Sequence, residues 1–446
     1  MANLSSVYLH EKIRTDLMNS KLKKILHYSR QVFIPGLPGF ENIEGGLPRT
    51  VWNSMEGLPG NGTDHFLLTM IPSRERQHKN IHILPVPGQV FSPSNFRGWK
   101  RALCSLRGKE PFWSYKMIPS FFFEDYFDHA IRSIDPDLIH FHQLNLKNLP
   151  LLRRALEIGI PLAVTLHGPD CFYPVIPDGK LQERKYLEKR MEMRTIEYLN
   201  GRKVPVLCVG GVMKQKILNN LHIAYPEKIY PLPNGYDPEI FRFYSKEEGA
   251  EIRKARSIPT DARVVISIGT LTTRKNHGFL IRSLSKLSEK EQARVICLIV
   301  GGGYRRRRLE KLARDLNFRG KVIFLGDIGG EEVARFLAVS DIMALVSFSE
   351  GLSRTVLESL AVGTPVLSFT DLFSEEEKLL KKGMFLVNRD TPEAFSDAIK
   401  QSLEFRWDRR SVSESVQGFH WQNVSQRYME IFHEIFSDFN ALTERN

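Results

Sequence analysis

From Arg263 onward the chain alternates short apolar runs with helical patterns, and this alternation leaves few folds open. Val264 to Ile268, Val295 to Val300, Val322 to Leu325, Asp341 to Val346, Thr364 to Phe369 and Phe385 to Val387 have the length and composition of buried strands. Between them lie helical patterns from Asn276 to Leu287, up to Leu316, and around Val333 to Leu337. Repeated units of this kind stack into a parallel sheet covered by helices on both faces. Ligands of such sheets bind beyond the carboxyl ends of the strands. There the unusual residues gather, in the loops Gly269 to Lys275, Gly301 to Arg305, Gly326 to Gly330 and Ser347 to Leu352.

The first half follows the same style less regularly. Strands are expected at Lys24 to Tyr28, His65 to Met70, Ile81 to Leu84, Leu138 to Phe141, Leu162 to Leu166, Val206 to Val209 and Ile229 to Pro231. A chain of 446 residues exceeds what one core supports, so two sheets with one ligand cleft between them is the expected architecture. The prolines and Asn-Gly turn of Pro231-Leu232-Pro233-Asn234-Gly235 mark the boundary.

Charge narrows the function classes. A net charge of +12 implies an acidic partner, which nucleic acid, an anionic membrane or a phosphate-rich substrate would each satisfy. Arg305 to Arg308 follow a glycine turn and open a helix carrying Leu309, Leu312, Ala313 and Leu316, which reads as a solvated first turn beside an anion site. No basic and aromatic recognition motif accompanies the charge, which sets nucleic acid aside. No run approaches the roughly 20 apolar residues of a membrane span, and Met1 to Ser20 is polar without a signal-peptide core. Cys104, Cys171, Cys208 and Cys297 lack redox or metal spacing. A cytoplasmic protein is expected. The aromatic stretch Phe112 to Phe127, with Lys100, Arg101, Arg107, Lys109 and Lys116 nearby, allows peripheral docking at the inner membrane face and equally a buried helix.

The most specific stretch runs from Ser349 to Val366, with Glu350 in a loop after one strand, Ser353 at a helix N-cap, Glu358 inside the helix and Gly363 after its end. A phosphate can dock on the helix-start amides while the two carboxylates accept hydroxyl hydrogen bonds on either side. That is the layout of a nucleotide-diphosphate sugar. The stretch resembles the Glu-x7-Glu motif of the retaining family-4 glycosyltransferases, whose fold, termed GT-B, sets two Rossmann-like doubly wound α/β domains across a central cleft. Pro233 to Phe241 and the terminal helix after Phe419-His420-Trp421 are similar to the hinge and returning helix of that family. The implied layout is a polar tail over 1–20, an acceptor domain over 21–235, a nucleotide-sugar domain over 236–405 and helices 406–446 crossing back, with Trp421 as packing.

Gly269 to Asn276 places Arg274 and Lys275 at a strand exit, where cations can neutralise a departing diphosphate. The resemblance puts Lys275 in the position of the leaving-group lysine. Thr270 stands where relatives carry arginine, so Arg274, or a first-domain residue, is expected to supply the second cation. The resemblance further implies catalytic roles for Lys275, Glu350 and His167, whose Thr-Leu-His setting matches a histidine that meets the donor sugar. It implies donor contacts from Gly46, Arg274, Gly302, Gly326, Ile328, Gly351, Ser353, Arg354, Thr355 and Glu358, and acceptor contacts from Gly45 and His142.

Asp135-Pro136-Asp137 spells a metal-binding Asp-x-Asp but precedes a strand, so it reads as a turn, and no His/Cys/Asp cluster has metal spacing. Metal independence is therefore expected, and the resemblance implies a hexosyltransferase without cofactor, acting on a glycan, lipid-linked or small-molecule acceptor with retention of configuration. Two other readings stand beside it: a nucleotide-sugar epimerase on the same fold, and an inactive binding partner of an acidic protein or glycan.

Overall fold

The computed structural model describes residues 22–30, 32, 34, 37, 46–59, 62–71, 76–86, 114–144, 146–168, 181–374 and 377–443. The chain divides into two compact units. Unit 1 comprises Met1–Val209, Ile217–Leu232 and Val424–Asn446, and unit 2 comprises Gly210–Lys216 and Pro233–Asn423.

Unit 1 is built on eight strands: β1 (Lys24–Tyr28), β2 (Asp64–Leu68), β3 (Arg76–His78), β4 (Ile81–Ile83), β5 (Leu138–Phe141), β6 (Leu162–Leu166), β7 (Val206–Val209) and β8 (Ile229–Leu232). Their order is β3-β4-β2-β1-β5-β6-β7-β8. All pairs are parallel except β3 with β4, an antiparallel edge absent from the sequence expectation because three residues, Arg76 to His78, give no period to read. Pro231 sits on the edge strand β8, where its missing N–H is tolerated. Strand order reverses between β1 and β5, the position where doubly wound sheets open a crevice. Asp137 closes the opposite end, its carboxylate accepting from the Lys23 and Lys24 amides at 2.8 and 2.9 Å. The Asp135-Pro136-Asp137 segment is thus a strand-start clamp. Phe123 and Phe127 of the helix Ser114–Ile134 pack on Tyr28 and Phe141, so these aromatics belong to the core. Phe112, Trp113 and the basic residues 100–109 lie outside the described residues.

Unit 2 has six parallel strands: β9 (Arg263–Ile268), β10 (Val295–Val300), β11 (Lys321–Gly326), β12 (Ile342–Leu345), β13 (Val366–Phe369) and β14 (Met384–Val387). Their order β11-β10-β9-β12-β13-β14 is the doubly wound arrangement, with its switch point between β9 and β12. Every residue of β10 is buried, which explains an unbroken apolar run without alternation. A helix absent from the sequence expectation, Lys246–Ala255, opens on a capping box between Ser245 and Glu248. Its sequence, KEEGAEIRKA, carries too few apolar residues for periodicity to reveal it. Trp421 is buried and covers Gly235, where a Cβ would lie 2.6 Å from the indole, so the expected packing role holds within this unit.

Among the described residues no helix is long and apolar enough to cross a membrane.

Candidate active site

The loops after β9 and β12 flank the switch point of unit 2, and Arg274, Lys275, Glu350, Gly351 and Ser353 come from these two loops. After β9 the chain turns through Gly269, whose φ of +154° and close Lys275 side chain leave no comfortable place for a Cβ. Lys275 then extends beneath the loop to Glu350, Nζ lying 2.8 Å from Oε1. Arg274 reaches the same carboxylate from the other side, Nη1 to Oε2 at 3.1 Å, and also donates to the Ser349 carbonyl. Thr270 is exposed, and Arg274 is the second cation at the carboxylate.

Glu350 is almost out of water, with its side chain 8% exposed. Burial is the largest single influence and pushes its pKa up, but the charges of Lys275 and Arg274 outweigh it and hold the group below the usual carboxylate range. His277, which follows the two cations, has its Nε2 3.2 Å from the Gly269 carbonyl and its Nδ1 3.1 Å from the Ser267 hydroxyl. Burial, then the neighbouring Lys275 charge, lowers its pKa to about 4.

Ser353 occupies the N-cap of the helix Arg354–Val362 but does not cap it with its side chain. Its hydroxyl instead meets that of Thr355 at 3.0 Å, so the first-turn amides have no side-chain cap and keep their anion-binding character. Glu358 is buried one turn in, 2.8 Å from Arg354 Nε. Gly351 lies in the turn before this helix. The β10 and β11 loops are stitched to the β9 loop by backbone bonds, Leu271 N to Gly302 O at 2.7 Å and Gly301 N to Gly326 O at 2.8 Å. Gly302 also donates its amide to Asp327 at 2.8 Å, and Ile328 packs against the core. These positions therefore shape the loop rim.

One cation escaped the sequence reading. Lys216, on the helix Gly211–Asn220, donates to Ser349 Oγ at 2.8 Å, beside the Glu350 loop. The signal available for it was Gly210-Gly211 directly after a strand. Gly210 has φ +91°, and the Gly211 amide donates to the buried Glu377 carboxylate at 2.7 Å, which brings this helix start against the site loops.

In unit 1, His142 and His167 come together as stacked rings with 5.5 Å between centroids and 3.2 Å between Nδ1 of the first and Nε2 of the second. They end a larger cluster with His27, His65 and His140, all on the face of the sheet covered by Tyr428 and Phe432. Desolvation lowers every pKa in the cluster, to about 4 for His65 and His167. Ligating atoms of His27, His140 and His142 lie within 4.8 Å of one another. Spacing along the chain, which shows no metal pattern, cannot see residues joined by pairing of β1 with β5. Gly46 begins the helix Gly46–Glu56, and Gly45 lies outside the described residues.

Known proteins share both the sequence pattern and the fold. Residues 44–240 match the family model "Glycosyltransferase Family 4", and residues 249–417 match "Glycosyl transferases group 1". An uncharacterized glycosyltransferase of Methanocaldococcus jannaschii is 28% identical over 184 residues, 41% of this chain and 46% of that protein. The chain spans about half the length of the curated relatives it matches. Sucrose-phosphate synthase of Thermosynechococcus elongatus superposes with a TM-score of 0.70 at 16% identity, covering 93% of this chain and 100% of that one. HepE of Anabaena, solved in complex with UDP-glucose, gives a TM-score of 0.63 at 15% identity over 92% and 99% of the two chains. With the two models spanning both units and GT-B structures as fold neighbours, the chain belongs to the family-4 glycosyltransferases.

Proposed function

We propose that the protein transfers a sugar from a nucleotide-diphosphate sugar to an acceptor hydroxyl, with retention of configuration and without a metal at the diphosphate. The observation that carries this reading is the convergence of Lys275 and Arg274 on buried Glu350 beside an uncapped helix start. Cleavage of the donor breaks the bond between the anomeric carbon and the β-phosphate oxygen and places negative charge on that oxygen. Two cations and the first-turn amides, fixed beforehand in a low-dielectric loop cluster, stabilise this charge without a divalent ion. Each charge-assisted hydrogen bond contributes about 1.5–3 kcal/mol. Glu350 accepts hydroxyl hydrogen bonds from the transferred sugar, and Glu358 those of the ribose. The acceptor oxygen attacks from the face the diphosphate leaves, and its proton passes to the departing phosphate oxygen. No protein base is required. The UDP-glucose held by HepE supports a donor of this class.

The test is nucleotide release from UDP-, GDP-, ADP- and dTDP-sugars in EDTA, for the native chain and for Glu350→Ala and Lys275→Ala. Release from one donor that survives EDTA and collapses in both variants is the expected result. Absence of release together with absence of donor binding by calorimetry would overturn the reading.

A further inference from the structure

Where β1 meets β5 in unit 1, three imidazole nitrogens converge. His27 Nδ1 lies 3.1 Å from His140 Nδ1 and 3.3 Å from His142 Nε2, and all three residues are buried. Strand register produces this meeting, because His27 pairs with His140 and His142 follows two residues on, back on the same face. A neutral imidazole carries one proton and one lone pair. If His27 Nδ1 is the acceptor, two N–H groups crowd a single lone pair. If it is the donor, it satisfies one neighbour and leaves the other nitrogen facing it with nothing to share. No arrangement of protons on neutral rings gives all three nitrogens a two-centre hydrogen bond.

We infer that His27, His140 and His142 form a binding site for a divalent first-row transition ion of the Zn2+ class, held by three neutral imidazoles. Two Zn–N bonds of about 2.0–2.1 Å at the tetrahedral angle place their nitrogens about 3.3–3.4 Å apart. The observed separations of 3.1 and 3.3 Å fit such a pair of ligand contacts. Imidazole is a preferred donor for zinc.

The outer nitrogens supply independent support. Ligating histidines donate their second N–H to an acceptor that fixes the ring. With the three inner nitrogens on a metal, His27 Nε2–H donates to His65 Nδ1 at 3.1 Å, His140 Nε2–H to Thr165 Oγ1 at 2.7 Å, and His142 Nδ1–H to His167 Nε2 at 3.2 Å. His65 passes its own Nε2–H to the Pro59 carbonyl at 3.5 Å. Each outer N–H of the three ligand rings therefore has an acceptor, and His167 carries its proton on Nδ1, which has no partner among the described residues. Such an ion would tie β1 to β5 at the switch point of the sheet.

The full-length chain, denatured with chelator and refolded with or without Zn2+, is the material for the test. Bound metal is counted after removal of excess, and Co2+ serves as the spectroscopic probe. The expected result is about one Zn2+ per chain, tetrahedral visible bands with Co2+, and loss of both in His27→Gln and His142→Gln but not in His277→Gln, which alters a buried histidine of the other unit. X-ray absorption on the native zinc protein keeps the test decisive if the variants do not fold, and should show a first shell of three imidazoles. No uptake by the native chain, uptake undiminished in folded His27→Gln and His142→Gln, or an absorption spectrum lacking three imidazole nitrogens would overturn the inference.

Discussion

Replacing Lys275 with methionine keeps an unbranched apolar stem and removes the charge 2.8 Å from Glu350. The two side chains are 12% and 8% exposed, so water screens their attraction weakly. Breaking a buried pair by removing one partner costs about 3–5 kcal/mol. Arg274 stays 3.1 Å from the other carboxylate oxygen and retains part of the compensation, which leaves about 2–3 kcal/mol as the expected loss. In a unit of about 200 residues each kcal/mol moves the midpoint by about 2–4 °C, so the unit 2 transition should fall by about 5–10 °C in calorimetry. The pH dependence gives a second reading. Glu350 has a folded pKa held below its ordinary 4.5, so its contribution is full above that value and lost as pH falls through the folded one. The gap between native chain and Lys275→Met should therefore narrow once the pH drops well below 4.5. A double variant with Glu350→Gln should recover part of the loss, because the most deeply buried group of the cluster is then uncharged. A midpoint within a degree or so of the native one, or a gap unchanged in acid, would refute the account of Glu350 as a buried anion held by two cations.

Other perturbations separate site from scaffold. Gly301→Ala places a Cβ against the Gly269 carbonyl at a φ of +124°, and should cost about 2–3 kcal/mol, read as a lower denaturation midpoint in urea. Lys216→Met should weaken donor binding by calorimetry about 10-fold, since it removes one charge beside the site loop. His277 has a folded pKa near 4, lowered from 6.5, so its contribution is full above 6.5 and is lost as pH falls toward 4. The loss is about 2 kcal/mol at pH 5, and this part of the acid slope should vanish in His277→Gln.

Several of these residues could be found without coordinates. The β10 run Val295–Val300 announces a strand because a parallel sheet buries both of its faces. Glu350, Ser353 and Glu358 announce a loop and helix start because capping and turn chemistry are local. Lys246–Ala255 was missed because its helix rests on a capping box and charged residues, and Arg76–His78 because three residues carry no period. Lys216 was missed because its partner Ser349 is 133 residues away.

The sequence by itself determined the alternation of strands and helices, the loops that carry charge, and the motif joining Glu350 to Glu358, since each depends on residues within about two turns of one another. Tertiary structure alone decided that Lys275 and Arg274 share one carboxylate, because β9 and β12 became neighbours at the switch point. It also decided that His27, distant in sequence, faces His140 and His142 across paired strands. The reason is common to both: strand order fixes which loop ends and which side chains meet, and strand order is set by packing of the whole sheet, which no short window of sequence contains.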